Sequence, residues 1–223
     1  TIMATITGRY GSGYRETLNG TASNDLINPM SGSDIVNGGG GIDTIQIAAA
    51  RASFQVSISG SNATVVQIVS GASGGVSAGD TVSLNSVERV QFSNTKLALD
   101  VNGNAGAVAK ILGAVFGASA VGNASYMGIG LGYLDGGMSV ADLSKLALNA
   151  KLGANFTNAA EITLFYQNLV GMTPNQDDIA GWSARIQSGE FTQASFATMV
   201  EDLSFNTDNI NLAGLAQTGI VYA

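Results

Sequence analysis

Cysteine and histidine are both absent from this 223-residue chain, and proline occurs only twice. Without cysteine there is neither a disulfide framework nor a thiolate metal site. The lack of histidine removes the commonest general base, and with it serine-histidine triads, HExxH zinc sites and an axial haem ligand. Charge is scarce: charged residues make up 11% of the chain, and the balance of nine Lys and Arg against sixteen Asp and Glu is −7. Basic residues nowhere cluster, so nucleic acid is not expected as a partner and an anionic membrane surface is disfavoured. The longest apolar stretch, residues 105–121, is broken by Lys110 and glycines. It is too short and interrupted for a membrane span, so the chain is not expected to be membrane-spanning. The opening residues Thr1-Ile2-Met3-Ala4-Thr5-Ile6 lack the basic and then apolar segments of a secretory signal peptide. What is abundant is glycine, with 30 residues, and a hydrophobic content of 45%, enough for a buried core.

The glycines concentrate around a repeat. Asp25, Asp34 and Asp43 fall nine residues apart, each two residues before an aliphatic one, Ile27, Val36 and Ile45. The unit Gly38-Gly39-Gly40-Gly41-Ile42-Asp43-Thr44-Ile45-Gln46 fits the nonapeptide G-G-x-G-x-D-x-U-x at every fixed position. Before it come residues 29–37, which keep Gly32, Asp34 and Val36, and residues 20–28, which keep Gly20, Asp25 and Ile27. A worn unit, 11–19, keeps Gly11 and Leu18, with Glu16 at the aspartate position. In each unit six residues turn and three form a short strand, so Leu18, Ile27, Val36 and Ile45 are expected to stack as a thin core. Glycine permits the positive-φ turn and leaves carbonyls facing a shared centre. Carboxylate and carbonyl oxygens at that density suit Ca²⁺, which takes six to eight oxygen ligands. The competing reading is a metal-free array in which the aspartates cap turns. Against it, three aligned carboxylates without a basic partner in the same turns repel one another unless a cation lies between them.

Residues 20–47 resemble the calcium-binding β-roll of RTX (repeats-in-toxin) proteins, which Gram-negative bacteria export by type I secretion. The resemblance implies that successive units lie on opposite sides of the roll and that a Ca²⁺ ion is shared by units two apart. Asp25 and Asp43 then contribute to one site, and Asp34 pairs with Glu16, a methylene longer than aspartate. The oxygens of Gly20, Ala22, Ser31, Gly39 and Gly41 complete the implied ligand set, for one to three ions. Exported proteins of this class carry no cleaved signal peptide. Met3-Ala4-Thr5-Ile6 resembles a native start of that kind, with Thr1 and Ile2 as additions, and residues 214–223 resemble the uncleaved C-terminal export signal. An ordinary last helix and tail is the alternative for that end.

From residue 52 to 100 the pattern has period two and β-branched residues, predicting strands at 54–58, 63–69, 80–84, 87–92 and 97–100. The turns between them fall at 60–62 and 71–75. These strands read as an antiparallel layer that caps the roll, since a coil that stacks unit on unit leaves an open edge. Glu88 and Arg89 are expected as solvated strand residues. Beyond Asn104 helical signals take over. Ser139, Asn158, Thr173 and Thr192 are the expected N-caps, with Glu161 and Gln176 closing capping boxes and Pro174 at a first helical position. Met138 with Leu143, and Phe191 with Phe196, form hydrophobic staples. Asp177 and Asp178 fit the first turn of their helix, where the macrodipole favours them. Five or six helices are expected. Residues 158–206, through Leu164-Phe165-Tyr166-Gln167-Asn168-Leu169-Val170-Gly171-Met172-Thr173-Pro174 and Trp182, are similar to a family of helical domains of unknown function. That family is common in secreted and surface-layer bacterial proteins, and Met172 replaces its usual basic residue. Tyr166 and Trp182 could offer a sugar-stacking platform but are expected in the core.

Other motifs fail on their own terms. Gly128-Ile129-Gly130-Leu131-Gly132 lacks the third glycine and the preceding strand of a dinucleotide fingerprint. Asp100, Asn102 and Asn104 begin like an EF-hand loop, but Ala105 and Ile111 stand where glycine and glutamate belong. No two carboxylates are singled out as a glycosidase pair. The chain is therefore expected to be α+β: a short parallel β-roll with a β cap over 1–101, and an all-α helical bundle over 102–223. Its expected function is that of a non-enzymatic, calcium-binding protein, secreted or on the cell surface of a Gram-negative bacterium, with a structural or matrix role. Surface polysaccharide, surface-layer components and a second copy are the partners considered. Two further classes stay open: a calcium-dependent glycan-binding module, and the export and stability module of a secreted hydrolase.

Overall fold

The structure is a computed structural model that describes residues 3–11, 14–68 and 79–223. Ser12 and Gly13 of the worn repeat, Val69 and the turn expected at 71–75 lie outside the described residues. The chain divides into two compact units, residues 1–102 with 214–223, and residues 103–213.

In the first unit the repeats form very short strands: β1 (Ala4–Thr7), β2 (Thr17–Asn19), β3 (Asp25–Asn28), β4 (Ile35–Asn37) and β5 (Thr44–Gln46). β1, β3 and β5 are parallel neighbours in one sheet, and β2 and β4 are parallel in another. Because each strand pairs with the strand two further along, the backbone crosses between sheets at every turn and winds as a coil. Within each strand side chains alternate between the two faces, and the inward position is the aliphatic one. Leu18, Ile27, Val36 and Ile45 are buried in one cluster, with Leu18 opposite Val36 and Ile27 opposite Ile45. Full burial of such a side chain is worth roughly 1.5–3 kcal/mol, and this narrow stack adds to the backbone ladders that join neighbouring coils.

The next strands are β6 (Phe54–Ser59), β7 (Asn62–Gln67), β8 (Thr81–Asn85), β9 (Arg89–Gln91) and β10 (Lys96–Ala98). They differ from the antiparallel layer expected over this region. β6 and β7 do form an antiparallel hairpin, but β8 runs parallel to β4 and β9 parallel to β5, with Leu84 opposite Val36 and Val90 opposite Ile45. The coil thus continues two strands past the repeats, because Leu84 and Val90 extend the aliphatic stack. Antiparallel pairing resumes outside them, β7 on β8 and β10 on β9.

The helical unit starts with α1 (Asn104–Phe116), α2 (Ala124–Asp135) and α3 (Val140–Leu152), followed by α4 (Asn158–Phe165), α5 (Gln176–Gln187), α6 (Gln193–Glu201) and α7 (Ser204–Asn209). With α8 (Leu212–Thr218) the described residues hold eight α-helices, more than the five or six expected. Ser139 caps α3, and Thr192 caps α6 in a capping box whose partner is Ser195. Two expected caps shift. Thr157 rather than Asn158 caps α4, and Asn175 rather than Thr173 caps α5, which leaves Pro174 outside the helix. Glu161 therefore closes no capping box; its side chain is buried. Tyr166 and Trp182 are half-buried, and the Trp182 ring lies 5.3 Å from that of Phe196. Among the described residues no helix is long and apolar enough to cross a membrane.

The last residues, expected to end the helical domain, belong instead to the first unit, where β11 (Ile220–Tyr222) pairs antiparallel with β10.

Candidate metal centre

The coil places the repeat carboxylates where turn meets strand, Asp25 opening β3 and Asp34 and Asp43 directly preceding β4 and β5. Asp25 and Asp34 are 1% exposed and Asp43 is fully buried. Their burial follows from the coil: each carboxylate is covered by the turn stacked on it two units away. The Asp25 N–H donates to Asp43 Oδ1 at 2.8 Å, and on the opposite side the Glu16 N–H donates to Asp34 Oδ1 at 2.8 Å. The expected pairing of units two apart is the pairing the structure brings together. Asp25 itself accepts from the Ala4 N–H at 3.2 Å and from the Thr21 N–H at 2.5 Å.

Close stacking explains the glycines. A Cβ at Gly20 would fall 1.9 Å from the Gly38 carbonyl oxygen, and one at Gly38 would fall 1.9 Å from that of Ser86. Gly39, at φ +103°, presses against the Thr21 carbonyl, where a Cβ would come within 2.1 Å. Gly41 lies over Ser23 and Asn24, and the Ala22 carbonyl faces Gly40. Carbonyl oxygens of alternate turns thus converge beside the carboxylates. Ser31 is buried and its Oγ accepts from the Gly11 N–H at 2.7 Å. Glu16 turns away: its Oε2 accepts from the Arg9 N–H at 2.7 Å, and Oε1 lies 3.4 Å from Arg9 Nε.

Two carboxylate oxygens, Asp34 Oδ2 and Asp43 Oδ2, are buried with no hydrogen-bond partner. Loss of water pushes the Asp43 carboxyl up to about 6; the Asp25 N–H opposes this and the Asp25 carboxylate adds to it. Asp34 is also raised, first by burial and then, against the Glu16 N–H, by the charges of Glu16 and Asp80. A pair of acceptors without donors, in a negative field and among carbonyls, fits a hard cation. Among the described residues no group of three acidic side chains gathers to hold a metal, so such a cation must take most of its oxygens from the backbone.

Two acidic residues outside the repeats join the ladder. Glu88 Oε2 accepts from the Asp43 N–H at 2.8 Å, repeating the bond that Asp43 makes to Asp25. Its carboxyl is raised by burial and by Asp43, despite the Asp43 N–H and the nearby Arg89. The signal was present in the sequence, since Glu88 precedes Val90 by two residues as Asp43 precedes Ile45. On the other side Asp80 Oδ2 accepts from the Gly32 N–H at 3.1 Å. Asp80 stands four residues before Leu84, which lies opposite Val36, where the repeat has two; its own two-residue spacing to Val82 matches the repeat but not the register of the coil. The expectation that Glu88 and Arg89 are solvated is overturned: Arg89 is 2% exposed, ion-paired with Asp100 and 5.9 Å from the centre of the Tyr222 ring.

Residues 10–45 match the family model of the RTX calcium-binding nonapeptide repeat, in four copies. The cation of this segment is Ca²⁺. No curated protein matches the chain.

Proposed function

We propose that the first unit is a calcium-stabilised β-roll of a secreted, non-enzymatic protein with a structural role at the cell surface or in the extracellular matrix. The observation that carries this reading is the stacked pair Asp25 and Asp43, on adjacent coils, with the buried Asp43 Oδ2 left without a donor. Ca²⁺ would lie between the turns 20–25 and 38–43, held by these carboxylates and by carbonyls of the glycine turns, with Asp34 serving the opposite side. The bound ion supplies positive charge to a buried acidic stack, and the chain supplies the turns that exclude water from it. Extracellular modules bind Ca²⁺ with dissociation constants of about 10⁻⁴ to 10⁻³ M, far above free cytosolic levels. The roll would then stay loose inside the cell and fold after export, its binding free energy being folding free energy. RTX repeats are typical of secreted Gram-negative proteins, which supports the extracellular setting.

The test is calorimetric titration of Ca²⁺ into chelator-treated full chain, with Asp43→Ala beside it. Saturable binding at sub-millimolar to millimolar concentration, lost in Asp43→Ala, is expected. Absence of binding heat together with an unchanged melting temperature in 10 mM Ca²⁺ would leave a metal-free coil and remove the proposal.

A further inference from the structure

The helical unit buries two carboxyl groups that calcium binding does not use. Glu161, in the first turn of α4, is fully buried, and Glu201, at the end of α6, is 2% exposed. Neither Glu161 oxygen has a hydrogen-bond partner; Glu201 Oε2 accepts from Ser144 Oγ of α3 at 3.0 Å, while Oε1 has none. Three carboxyl oxygens are thus sealed in without a donor. The charges acting on Glu161 are Lys145 of α3 and Glu201 itself; those acting on Glu201 are Asp202 next to it and Lys110 of α1. Neither lysine donates to the pair, because Lys145 donates to Gln193 and sits 4.0 Å over the Phe156 ring, and Lys110 pairs with Asp202. From α5, Asp177 and Asp178 lie in the first turn and Arg185 is held by Glu190, and none of them acts on either carboxyl.

We propose that Glu161 and Glu201 are a proton-holding carboxyl pair that makes the helical unit pH-sensitive, tight while the pair is protonated and loosened once both groups ionise. The physical cause is desolvation. A buried ionised carboxylate without a partner carries a penalty of several kcal/mol, whereas the neutral acid supplies an O–H donor and loses far less on burial. Burial pushes Glu161 up to about 8, Lys145 opposing and Glu201 adding; it pushes Glu201 up to about 7 against the Ser144 hydroxyl. Both folded-state values lie above the ordinary carboxylate range. The stability they confer is therefore complete near pH 4.5 and is lost as pH rises through 7 and 8.

Trp182 is the chain's one tryptophan and packs on Phe196 of α6, so its fluorescence follows this unit. Denaturant unfolding of the full chain in 10 mM Ca²⁺, read by Trp182 from pH 6 to 9, is the test. The wild-type unfolding constant should rise at least tenfold across that range, while Glu161→Gln should flatten the profile and be the more stable at pH 9. A flat wild-type profile, or a Glu161→Gln profile parallel to wild type, would overturn the proposal. So would recovery of wild-type stability at pH 9 on adding more Na⁺ or Ca²⁺, which would put a cation where the proton is placed. If Glu161→Gln does not fold, Glu201→Gln and the ¹³C carboxyl shifts of labelled wild type give the same decision, since two carboxyls titrating in the ordinary range are incompatible with groups held protonated by burial.

Discussion

Replacing Asp43 by asparagine should stabilise the first unit without calcium and weaken it with calcium. In the metal-free fold at pH 7.5 the Asp43 carboxyl is ionised although burial has moved it from 3.8 to about 6, a penalty of about 3 kcal/mol at 1.36 kcal/mol per unit. Asparagine keeps an oxygen for the Asp25 N–H and removes the charge. Its amide N–H then sits where Oδ2 has no partner, which returns roughly 1–2 kcal/mol of the gain. The net effect in chelator is a stabilisation of about 1–2 kcal/mol, on the order of 5–10 °C for a domain of this size. In 10 mM Ca²⁺ and with a dissociation constant of about 10⁻⁴ M, wild type gains about 2.7 kcal/mol that the variant cannot. The order of melting temperatures should therefore invert between the two buffers. Scanning calorimetry resolves it, because two units are present. If Asp43→Asn melts below wild type in chelator, the buried charge is not the strain inferred for it. If it gains as much from calcium as wild type does, Asp43 is not a ligand.

Lowering the pH should stabilise the metal-free first unit, because Asp43, Asp34 and Glu88 all have raised carboxyls. The Asp43 contribution is full near pH 4 and lost as pH rises through about 6, and those of Asp34 and Glu88 change in the same direction, so a chelator-treated sample whose first transition does not shift upward between pH 7 and 5 would contradict this. Gly39→Ala forces a Cβ to 2.1 Å from the Thr21 carbonyl at φ +103°; a loss of roughly 1–3 kcal/mol and a weaker calcium isotherm are expected, and unchanged binding would show that these turns need not stack closely. Arg89→Met strips Asp100 of its buried partner and should destabilise by about 3–5 kcal/mol in denaturant titrations. Thr192→Ala removes the α6 cap and should lower Trp182-monitored stability by about 1 kcal/mol.

The repeats were legible because turn, carboxylate and aliphatic residue recur at one spacing, which few folds can use. Their continuation was not. Leu84 and Val90 stand six residues apart rather than nine, Val82 occupies an aspartate position, and the hairpin β6–β7 interrupts the coil. Period-two residues also look the same whether their strands pair parallel or antiparallel, so the pattern at β8 and β9 suits a separate antiparallel layer equally well. In the helical unit, capping chemistry located α3 and α6. It misplaced α4 and α5 by one or two residues because Thr157 and Asn175 compete with equally good neighbours. Glu161 has the position of a capping side chain, and sequence position does not reveal that its carboxyl turns into the core. Glu88 obeys the repeat's own spacing from Val90, but with Arg89 beside it the same residue also suits a solvated strand.

The strand β11 gives the first unit an order of assembly. Its partner β10 ends at Ala98, yet Ile220, Val221 and Tyr222 leave the ribosome after all of residues 103–213. Until then the outer edge of β10 has no neighbour. A chain cut short anywhere in the helices lacks this strand, so β10 gains its outer neighbour only in molecules whose synthesis has carried past the whole helical unit.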